Sequence, residues 1–355
     1  MRIAYFGHVN GGHQSGVFQK IGMQIDRWRT DGHVVRGFIA TRDRPDDWID
    51  RLGDVEVASY DRPWSRLRAM IRLASGVRRL RPDLIYLRWD LFYPPMLSFL
   101  ASPLVIEINT DDVHEYALGT PGRARYNTWT RGLLMRRAKA FVFVTSELSR
   151  SASFARFRGR RCVITNGIDL AAQPVLTAPH NEQPRLVFVG SAGQPWQGID
   201  KVVTLARQRP QWSFDVVGSW DDGLGTPSNV TWHGPLGTEA VRSVLAQADV
   251  GIGTLALHRK SMSEACPLKV REYLAVGLPV LYGYMDPDAD RLAPLTLRIA
   301  NTESNVTDEI DRIDEFVEMS RGARVPRASI AHIDVAAKEA QRLALFHDVA
   351  IGPTA

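Results

Sequence analysis

Short apolar runs alternate with amphipathic stretches along the chain, and this alternation occurs twice. Each run predicts a buried strand, and the stretches between runs have apolar residues at helical spacing. In the first half the predicted strands are residues 2–7, 34–39, 55–58, 83–88, 104–109 and 140–145, and the segment 162–169 ends this half. In the second half they are residues 185–190, 212–218, 229–234, 249–255 and 278–282. Strands that alternate with helices imply parallel sheets covered on both faces, so the pattern predicts an α/β chain of two similar halves.

The two halves are separated by a polar, proline-bearing stretch without periodicity, near residues 172–184. A chain of 355 residues is long enough for two domains of ordinary size. We therefore predict a first domain over 1–172 and a second over 173–332. A last helix is predicted within residues 333–355.

The stretch 261–282, SMSEACPLKVREYLAVGLPVLY, carries the most specific pattern in the chain. Pro267 suits the first position of a helix, because its missing N–H costs nothing there. The helix is predicted to run from Leu268 to about Val276, to end at Gly277 and to be followed by a strand. A loop that brings a helix N-terminus beside a strand end is a ready site for an anion.

Three backbone N–H groups at the start of this helix favour a bound phosphate, those of Leu268, Lys269 and Val270. Lys269 adds a positive charge in the first turn, where a purely structural helix would favour an acidic residue. Glu272 lies one turn above Leu268, so its carboxylate can accept hydrogen bonds from hydroxyls beyond the phosphate. The alternative is an ordinary amphipathic helix with an exposed lysine and glutamate.

A second candidate site follows the first strand, in the loop HVNGGHQSG of residues 8–16. Gly11, Gly12 and Gly16 allow close backbone approach of a phosphate or a sugar. The spacing matches neither GxGxxG nor a P-loop, so it gives no support to a dinucleotide-binding protein or an NTPase. His8 and His13 are either polar site residues or loop residues without a role.

Polar residues also crowd the end of the strand predicted over 104–109, in the segment NTDDVHEY. Open α/β sheets place their sites at the carboxyl ends of strands, so this segment is a candidate for contact with a substrate. A solvated acidic turn is the alternative.

Charge is unevenly distributed. Residues 1–175 contain 27 Lys and Arg against 17 Asp and Glu, whereas the remaining 180 residues contain 17 against 22. Seven arginines and no acidic residue lie between Arg62 and Arg81, with Trp64 and other apolar residues at helical spacing. Such a helix suits an anionic membrane surface or an anionic substrate. The alternative is that its apolar side packs on the sheet while the arginines are solvated. A second basic helix over 123–139 is predicted to have Trp129 on its apolar side.

The two cysteines, Cys162 and Cys266, indicate neither a disulfide framework nor a metal site. The apolar run at the N-terminus is too short for a signal peptide, and Pro103 interrupts the most apolar run, 94–106. We therefore expect a cytoplasmic protein without a membrane span.

The spacing of Glu264 and Glu272, with PLK between them and EYLAVGLPV from Glu272 onward, resembles the retaining glycosyltransferases of family 4 (group 1 type). The segment NGID at 166–169 is also similar to that family. The resemblance implies the GT-B fold, with two Rossmann-like domains whose parallel sheets face a central cleft. It further implies an acceptor-binding N-terminal domain, a nucleotide-sugar-binding C-terminal domain and a last helix that crosses back to the first domain.

The resemblance also implies roles for the candidate residues. Glu264, helped by the N–H groups of Ala265 and Cys266, would orient the donor sugar, and Glu272 would hold the ribose. His114 or Asp112 would face the reacting sugar. Further donor contacts are expected from Gly11, Gly12, Gly16, Leu236, Leu268, Lys269 and Val270.

Two features depart from the family pattern. Gln197 stands where the family usually has a lysine that grips the diphosphate, and the loop 191–198 contains no arginine. Cys266 stands where a serine usually precedes the proline. Lys269 is then the main cation within reach of a diphosphate, with Arg259 or Lys260 as candidate helpers.

The resemblance implies retaining transfer of a sugar from a UDP- or GDP-linked donor, with no metal and no other cofactor. The basic first domain favours an anionic acceptor, such as a lipid-linked precursor of a polysaccharide, and peripheral contact of the basic helices with the inner face of a membrane. Nucleic acid is not expected as a partner, because no binding motif accompanies the charge. Two alternatives stay open: a GT-B nucleotide-sugar epimerase or hydrolase, and a nucleotide-sugar-binding protein without transferase activity.

Overall fold

A computed structural model of the chain describes residues 1–9, 16–42, 53–117, 119, 121–191, 193–218 and 225–351. The chain divides into two compact units. Unit 1 comprises Met1–Thr165 together with Val335–Ala355, and unit 2 comprises Asn166–Asp334. Each unit contains one parallel sheet with helices packed on it, which confirms the predicted α/β class.

The sheet of unit 1 has seven parallel strands in the order β3-β2-β1-β4-β5-β6-β7. The strands are β1 (Arg2–His8), β2 (Val34–Thr41), β3 (Val55–Ser59), β4 (Leu84–Arg88), β5 (Leu104–Ile108), β6 (Ala140–Phe143) and β7 (Arg160–Val163). Strand β1 lies between β2 and β4, with Ile3 opposite both Val35 and Leu84. The strand order reverses there, so the carboxyl ends of β1 and β4 are the expected place for a ligand.

Helices cover both faces of this sheet. They are α1 (Gly16–Thr30), α2 (Pro63–Leu80), α3 (Asp112–Ala117), α4 (Pro121–Thr130), α5 (Gly132–Met135), α6 (Ser146–Arg150) and the last helix, α12 (Val335–Ile351), with a 3-10 helix at Pro94–Ala101. On one face α1 packs against α12, where the rings of Trp28 and Phe346 lie 5.0 Å apart. On the other face α2, the 3-10 helix and α5 bury a second apolar cluster.

The two basic helices depart from their predicted packing. Helix α2 buries Met70 and Ala74 against the sheet, but Trp64 on the predicted apolar side is 80% exposed. The helix predicted over 123–139 is divided into α4 and α5 by a turn before Gly132, a weak helix former. Trp129, predicted on its packed side, is also 80% exposed.

A buried charge network connects the elements of unit 1. Glu107, at the end of β5, forms ion pairs with Lys20 of α1 at 2.8 Å, Arg88 of β4 at 3.1 Å and Arg342 of α12 at 3.7 Å. Burial lowers the pKa of Lys20 to about 8, although Glu107 opposes that shift. Removing one partner of such a network leaves an uncompensated buried charge, so the network requires all four elements to be in place.

The sheet of unit 2 has six parallel strands in the order β10-β9-β8-β11-β12-β13. They are β8 (Arg185–Val189), β9 (Ser213–Val217), β10 (Val230–Gly234), β11 (Val250–Ile252), β12 (Val280–Tyr282) and β13 (Thr296–Arg298). The helices are α7 (Ile199–Gln208), α8 (Thr238–Gln247), α9 (Leu268–Val276), α10 (Asn305–Asp308) and α11 (Ile310–Ser320). As in unit 1, the order reverses beside the first strand of the unit, β8, and the site described below is built there.

Candidate functional site

Helix α9 has the predicted bounds, Leu268–Val276, and ends at Gly277 with φ at +94°. Pro267 is predicted at the first position of the helix, but the structure places it one residue earlier, at the N-cap. Its backbone is extended there, with φ at −68° and ψ at 140°. No side chain caps this end of the helix. The N–H groups of Leu268, Lys269 and Val270 therefore lie at the positive end of the helix without an intrahelical acceptor.

Close packing holds α9 against the sheet of unit 2. The hydroxyl of Tyr273 accepts a hydrogen bond from the backbone N–H of Val189, at the end of β8, at 2.7 Å. A Cβ atom on Gly251 of β11 would lie only 2.6 Å from the ring of Tyr273, so the helix approaches the strand as closely as a glycine allows. The start of α9 is thereby held beside the end of β8.

A buried ion pair holds the other side of α9. The guanidinium group of Arg271 is fully buried and pairs with Asp286, in the segment after β12, and with Asp288 at 2.9 Å. The sequence pattern did not indicate this role for Arg271. The ion pair fixes the direction in which the N-terminus of α9 points.

Lys269 is the positive group of the site. Its ammonium group donates a hydrogen bond to Oε1 of Gln197 at 3.0 Å and lies 4.0 Å from the centre of the Phe188 ring. Both partners are neutral, and burial lowers the pKa of Lys269 to about 7. Burial also raises the pKa of Glu272, one turn along the same helix. The site thus holds a lysine whose charge is only partly compensated, at the positive end of a helix, which is the arrangement that an anion would stabilise.

The loop after β8 contributes the amide but no cation. Gln197 ends the short 3-10 helix Pro195–Gln197 and is almost fully buried. Arg259, predicted as a helper of Lys269, is instead paired with Asp200 at 2.7 Å and with Glu303. Lys260, the second predicted helper, lies over the ring of Trp196 at 4.3 Å.

Glu264 lies in an extended segment and forms an isolated parallel β-bridge with Met285. The backbone N–H of Ala265 donates to the carbonyl of Met285 at 3.0 Å, and the N–H of Met285 donates to the carbonyl of Ser263 at 2.8 Å. The Ala265 N–H, predicted to contact a sugar, thus already donates to a carbonyl within the protein. Glu264 itself is 2% exposed, on the same segment.

Cys266 occupies the position next to the α9 N-cap and is buried. Its sulfur accepts a hydrogen bond from the backbone N–H of Asn166 at 3.0 Å, and its carbonyl accepts from the Asn166 side chain at 2.6 Å. Burial raises the pKa of the Cys266 thiol to about 12, so the side chain stays a neutral thiol. The NGID segment and the PLK motif, a hundred residues apart in the chain, are thereby joined.

Glycines line the carboxyl ends of the neighbouring strands. Gly218, after β9, has φ at +86°, and a Cβ there would lie 2.0 Å from the carbonyl oxygen of Gly190, after β8. Gly234 ends β10, and the half-buried Leu236 follows two residues later. His233 of β10 is paired with Asp215 at 2.7 Å. A Cβ on Gly190 would likewise lie 2.2 Å from Oε1 of Gln197, so both Gly190 and Gly218 are required for the close packing of these two strand ends.

The predicted residues of unit 1 are placed very differently from one another. Gly11 and Gly12 lie outside the described residues, and Gly16 is the first residue of α1. The side chain of His114 is 71% exposed and lies 3.1 Å from Asp111.

Asp112 is 3% exposed, and its carboxylate forms a two-point ion pair with Arg131 at 2.6 and 2.8 Å. It also accepts hydrogen bonds from Asn127 at 2.8 Å and from Trp89 at 3.1 Å. The prediction of Asp112 as a residue that faces a reacting sugar is corrected by this geometry, because its carboxylate anchors α3 in the core.

Asp90, just beyond β4, gathers a second polar cluster that the sequence did not reveal. It pairs with His8 at 2.9 Å and with Arg66 at 2.8 Å, and accepts a hydrogen bond from Tyr116 at 2.6 Å. Although burial opposes its ionisation, these donors hold the pKa of Asp90 well below its usual range. His8 ends β1, so the cluster lies at the point where the strand order of unit 1 reverses.

Within the described ranges, no group of three His, Cys, Asp or Glu side chains is arranged to hold a metal ion. None of the helices that the structure describes combines the length and the apolar character needed to cross a bilayer.

Family models match both units. One, described as "Glycosyl transferase 4-like domain", matches residues 15–167, and another, described as "Glycosyl transferase-like", matches residues 200–331. A search of curated proteins finds no match.

Solved structures resemble the chain over its length. Sucrose-phosphate synthase from Thermosynechococcus elongatus has a TM-score of 0.74 at 14% identity, covering 99% of this chain and 100% of that one. The lipopolysaccharide outer core galactosyltransferase WaaB has a TM-score of 0.67 at 12% identity, covering 99% of each chain. Anabaena HepE in complex with UDP-glucose has a TM-score of 0.67 at 15% identity, covering 95% of this chain and 97% of that one.

At these identities the solved structures establish the fold, and the family models name the type of protein. Both models describe glycosyl transferases, and each matches one of the two parallel-sheet units. The chain therefore belongs to the glycosyl transferases with the GT-B fold.

Proposed function

We propose that this protein transfers a sugar from a UDP- or GDP-linked donor to an acceptor hydroxyl, with retention of the anomeric configuration. The observation that carries the proposal is the position of Lys269. Its ammonium group, with a pKa of about 7, lies at the N-terminus of α9, which no side chain caps, and its hydrogen-bond partner, Gln197, is neutral. A diphosphate bound there would gain a charge-assisted hydrogen bond and three backbone N–H donors.

Negative charge grows on the diphosphate as the bond to the sugar lengthens. Lys269 and the N-terminus of α9 are fixed before the reaction begins, since Tyr273 and Arg271 hold the helix. Such preorganised groups stabilise developing charge without reorganising, and this is the largest contribution we assign to the protein. In the retaining reaction proposed here the acceptor hydroxyl attacks from the face that the diphosphate leaves. The departing phosphate oxygen accepts the proton of that hydroxyl, so the step uses no covalent nucleophile.

The remaining donor contacts follow from the same anchor point. Glu272 would accept hydrogen bonds from the ribose hydroxyls, and Glu264 from hydroxyls of the donor sugar. The base would lie on the glycine-lined strand ends near Gly190 and Gly218, beside Leu236. The HepE structure in complex with UDP-glucose shares this fold, which supports a nucleotide sugar as the donor class.

The acceptor is proposed to contact unit 1. The excess of Lys and Arg over Asp and Glu in residues 1–175 favours an anionic acceptor, such as a lipid-linked sugar precursor. Among the predicted residues, His114 is the one whose side chain is exposed at the carboxyl edge of the sheet, so we assign it the contact with the reacting sugar.

A second function is favoured by one observation. The amide of Gln197 stands where the resembled family usually has a lysine, so a nucleotide-sugar-binding protein without transferase activity is the competing hypothesis. A hydrolase or epimerase of the same fold would share the donor site and differ in the fate of the sugar.

Calorimetric titration with UDP, GDP, ADP and dTDP tests the proposal first. We expect one or two of these nucleotides to bind the wild-type protein and to bind the Lys269→Ala and Glu272→Ala variants much more weakly. Lys260→Ala is the matched control, because it removes a neighbouring lysine that lies over Trp196. Absence of binding by every nucleotide would refute the donor site.

Release of the nucleotide then distinguishes a transferase, a hydrolase and a binding protein. With a nucleotide sugar that binds, a transferase releases nucleotide only when an acceptor is present, a hydrolase releases it without one, and a binding protein releases none. The anomeric configuration of the product, read by NMR coupling constants, distinguishes retention from inversion.

A further inference from the structure

Two helices of unit 1 expose large apolar side chains instead of burying them. On α2 the exposed residues are Trp64 and Ile71, at 80% and 50%. On α4 and the following α5 they are Trp129 and Leu133, at 80% and 49%. A tryptophan left this open to water forgoes the burial that stabilises other tryptophans of the chain, such as Trp28, so its exposure calls for a partner.

Each exposed set forms one stripe along its helix. Trp64, Arg68 and Ile71 follow the spacing i, i+4 and i+7, on the side of α2 opposite the buried Leu73. Tyr126, Trp129 and Leu133 follow the spacing i, i+3 and i+7 across α4 and α5. Both helices therefore present an apolar stripe outward, while a different side packs on the protein.

The two stripes belong to neighbouring elements. The 3-10 helix Pro94–Ala101 packs against both α2 and α5, and its Leu97 is itself 45% exposed. Arg66, one turn from the start of α2, pairs with Asp90, and Tyr126 of α4 donates to the carbonyl of Phe92. Arg66 near the start of α2 and Tyr126 in the middle of α4 thus both contact the short segment 90–93. We call the exposed side of α2, the 3-10 helix, α4 and α5 the Trp64–Trp129 face.

Positive charge accompanies the apolar residues on this face. Arg68 and Arg72 are exposed beside Trp64 and Ile71, and Arg125, Arg136 and Arg137 are exposed beside Trp129 and Leu133. The sequence has no acidic residue from Arg62 to Arg81 or between Glu115 and Glu147. Asp61 is exposed three positions before Trp64, and Glu56 pairs with Arg72 at 3.2 Å, but arginines remain in excess on this face. A surface that combines exposed tryptophans with an excess of arginines is complementary to a surface that is apolar beneath a layer of negative charge.

We propose that the Trp64–Trp129 face docks on the surface of a bilayer that contains anionic phospholipids. Trp64 and Trp129 would insert at the level of the headgroups, and the exposed arginines would contact lipid phosphates. A second copy of the chain is a poor fit for the same face, because two arginine-rich faces would repel each other. The inference concerns binding alone and does not depend on sugar transfer.

Co-sedimentation with vesicles tests this proposal. The full chain is mixed with vesicles of phosphatidylcholine alone and of phosphatidylcholine with an equal amount of phosphatidylglycerol. We expect binding to the mixed vesicles, little binding to the neutral ones, and release as salt is raised, because the surface potential that attracts arginines is screened by salt.

Variants assign the binding to the proposed face. The double variant Trp64→Ala/Trp129→Ala should lower the partition coefficient by at least about tenfold, since it removes the apolar insertion. The double variant Arg68→Gln/Arg136→Gln should lower it by roughly 30-fold and flatten the salt dependence, because each arginine contributes about 1 kcal/mol. Met319→Ala is the matched control, because Met319 is 58% exposed in unit 2 and should not contribute.

Three outcomes would overturn the proposal. The wild-type chain fails to bind mixed vesicles, or binds neutral vesicles equally well, or the double tryptophan variant binds as the wild type does. Sedimentation velocity supplies a further outcome: self-association that disappears in Trp64→Ala/Trp129→Ala would assign the face to a second copy instead. Thermal unfolding of each variant ensures that lost binding is not lost folding.

Discussion

Binding of a nucleoside diphosphate should draw a proton onto Lys269. In the free protein burial lowers the pKa of Lys269 to about 7, so near neutral pH a large fraction of the side chain is uncharged. A diphosphate at the start of α9 would stabilise the ammonium form and raise that pKa. The charged lysine binds the anion more tightly than the neutral one, so affinity must fall as pH rises above about 7, and it continues to fall until the pH reaches the pKa of the bound state.

The size of the effect follows from one proton and one charge-assisted hydrogen bond. Above neutral pH, log Kd should rise by up to about one unit per pH unit, the limit for coupled uptake of a single proton. Below about pH 6 the terminal phosphate of the nucleotide begins to protonate, so affinity should decline there too. Lys269→Met keeps the length of the side chain and removes the charge. At about pH 6.5 it should weaken binding by roughly 10- to 150-fold, the equivalent of about 1.5–3 kcal/mol.

Titration calorimetry in buffers of different ionisation enthalpy measures both quantities. Near pH 8 the wild type should take up almost one proton per bound UDP or GDP, whichever binds more tightly. That pH is about one unit above the pKa of Lys269 in the free protein, so the lysine is mostly uncharged before binding. Lys269→Met should take up none, and its affinity should stay flat at alkaline pH. Lys260→Met is the control. Tight binding by Lys269→Met, or a wild-type affinity that does not change between neutral and alkaline pH, would refute the assignment of Lys269 to the diphosphate.

Four further changes follow from the contacts of single residues. Gln197→Glu should place a carboxylate against Lys269, raise the pKa of that lysine and weaken nucleotide binding by about tenfold or more in calorimetry, with little change in Tm. Asp112→Ala should lower the free energy of unfolding by about 3–5 kcal/mol, because it leaves Arg131 buried without its partner. His114→Ala should change the free energy of unfolding by less than about 0.5 kcal/mol, since that side chain is 71% exposed. Denaturant titration measures both values. Gly218→Ala should abolish nucleotide binding and reduce Tm, as its Cβ would meet a backbone oxygen at 2.0 Å.

The parts of the site that sequence alone could predict depend on neighbours along the chain. Pro267 and Gly277 delimit α9, and the out-of-place charge of Lys269 marks its N-terminus, because capping and helix-dipole preferences act within a single turn. Even there the sequence placed Pro267 one position too far into the helix. A proline fits the N-cap as well as the first turn, and only the backbone angles distinguish the two.

Sequence could not predict the pairings between distant residues. Asp112 looked like a site residue because it follows a strand, but Arg131 lies nineteen positions further on and takes its carboxylate into the core. Asp90 gathers His8, Arg66 and Tyr116 from three other segments, and no local pattern brings these together. Burial decides such roles, and the burial of a charged side chain depends on the partners that the fold supplies.

The tryptophans illustrate a different limit. Helical spacing assigned Trp64 and Trp129 to packed sides, because the period of an amphipathic helix indicates direction but not the extent of the surface beneath it. In the structure the buried positions of α2 begin at Ala69, so Trp64 lies beyond the part of the helix that covers the sheet.

Gln197, at the position where the resembled family usually has a lysine, is consistent with the environment of Lys269. Burial already lowers the pKa of Lys269 to about 7. A second ammonium group, at position 197, would lower that pKa further by repulsion. An amide oxygen instead accepts a hydrogen bond from Lys269 and directs the ammonium group without neutralising its charge. One oriented lysine and the N-terminus of α9 can then replace two cations, at the cost of an affinity that depends on pH. On this reasoning, a lysine introduced at position 197 would not simply add affinity for a diphosphate. It would make the protonation of the pair, and hence binding, more sensitive to pH than in the natural sequence.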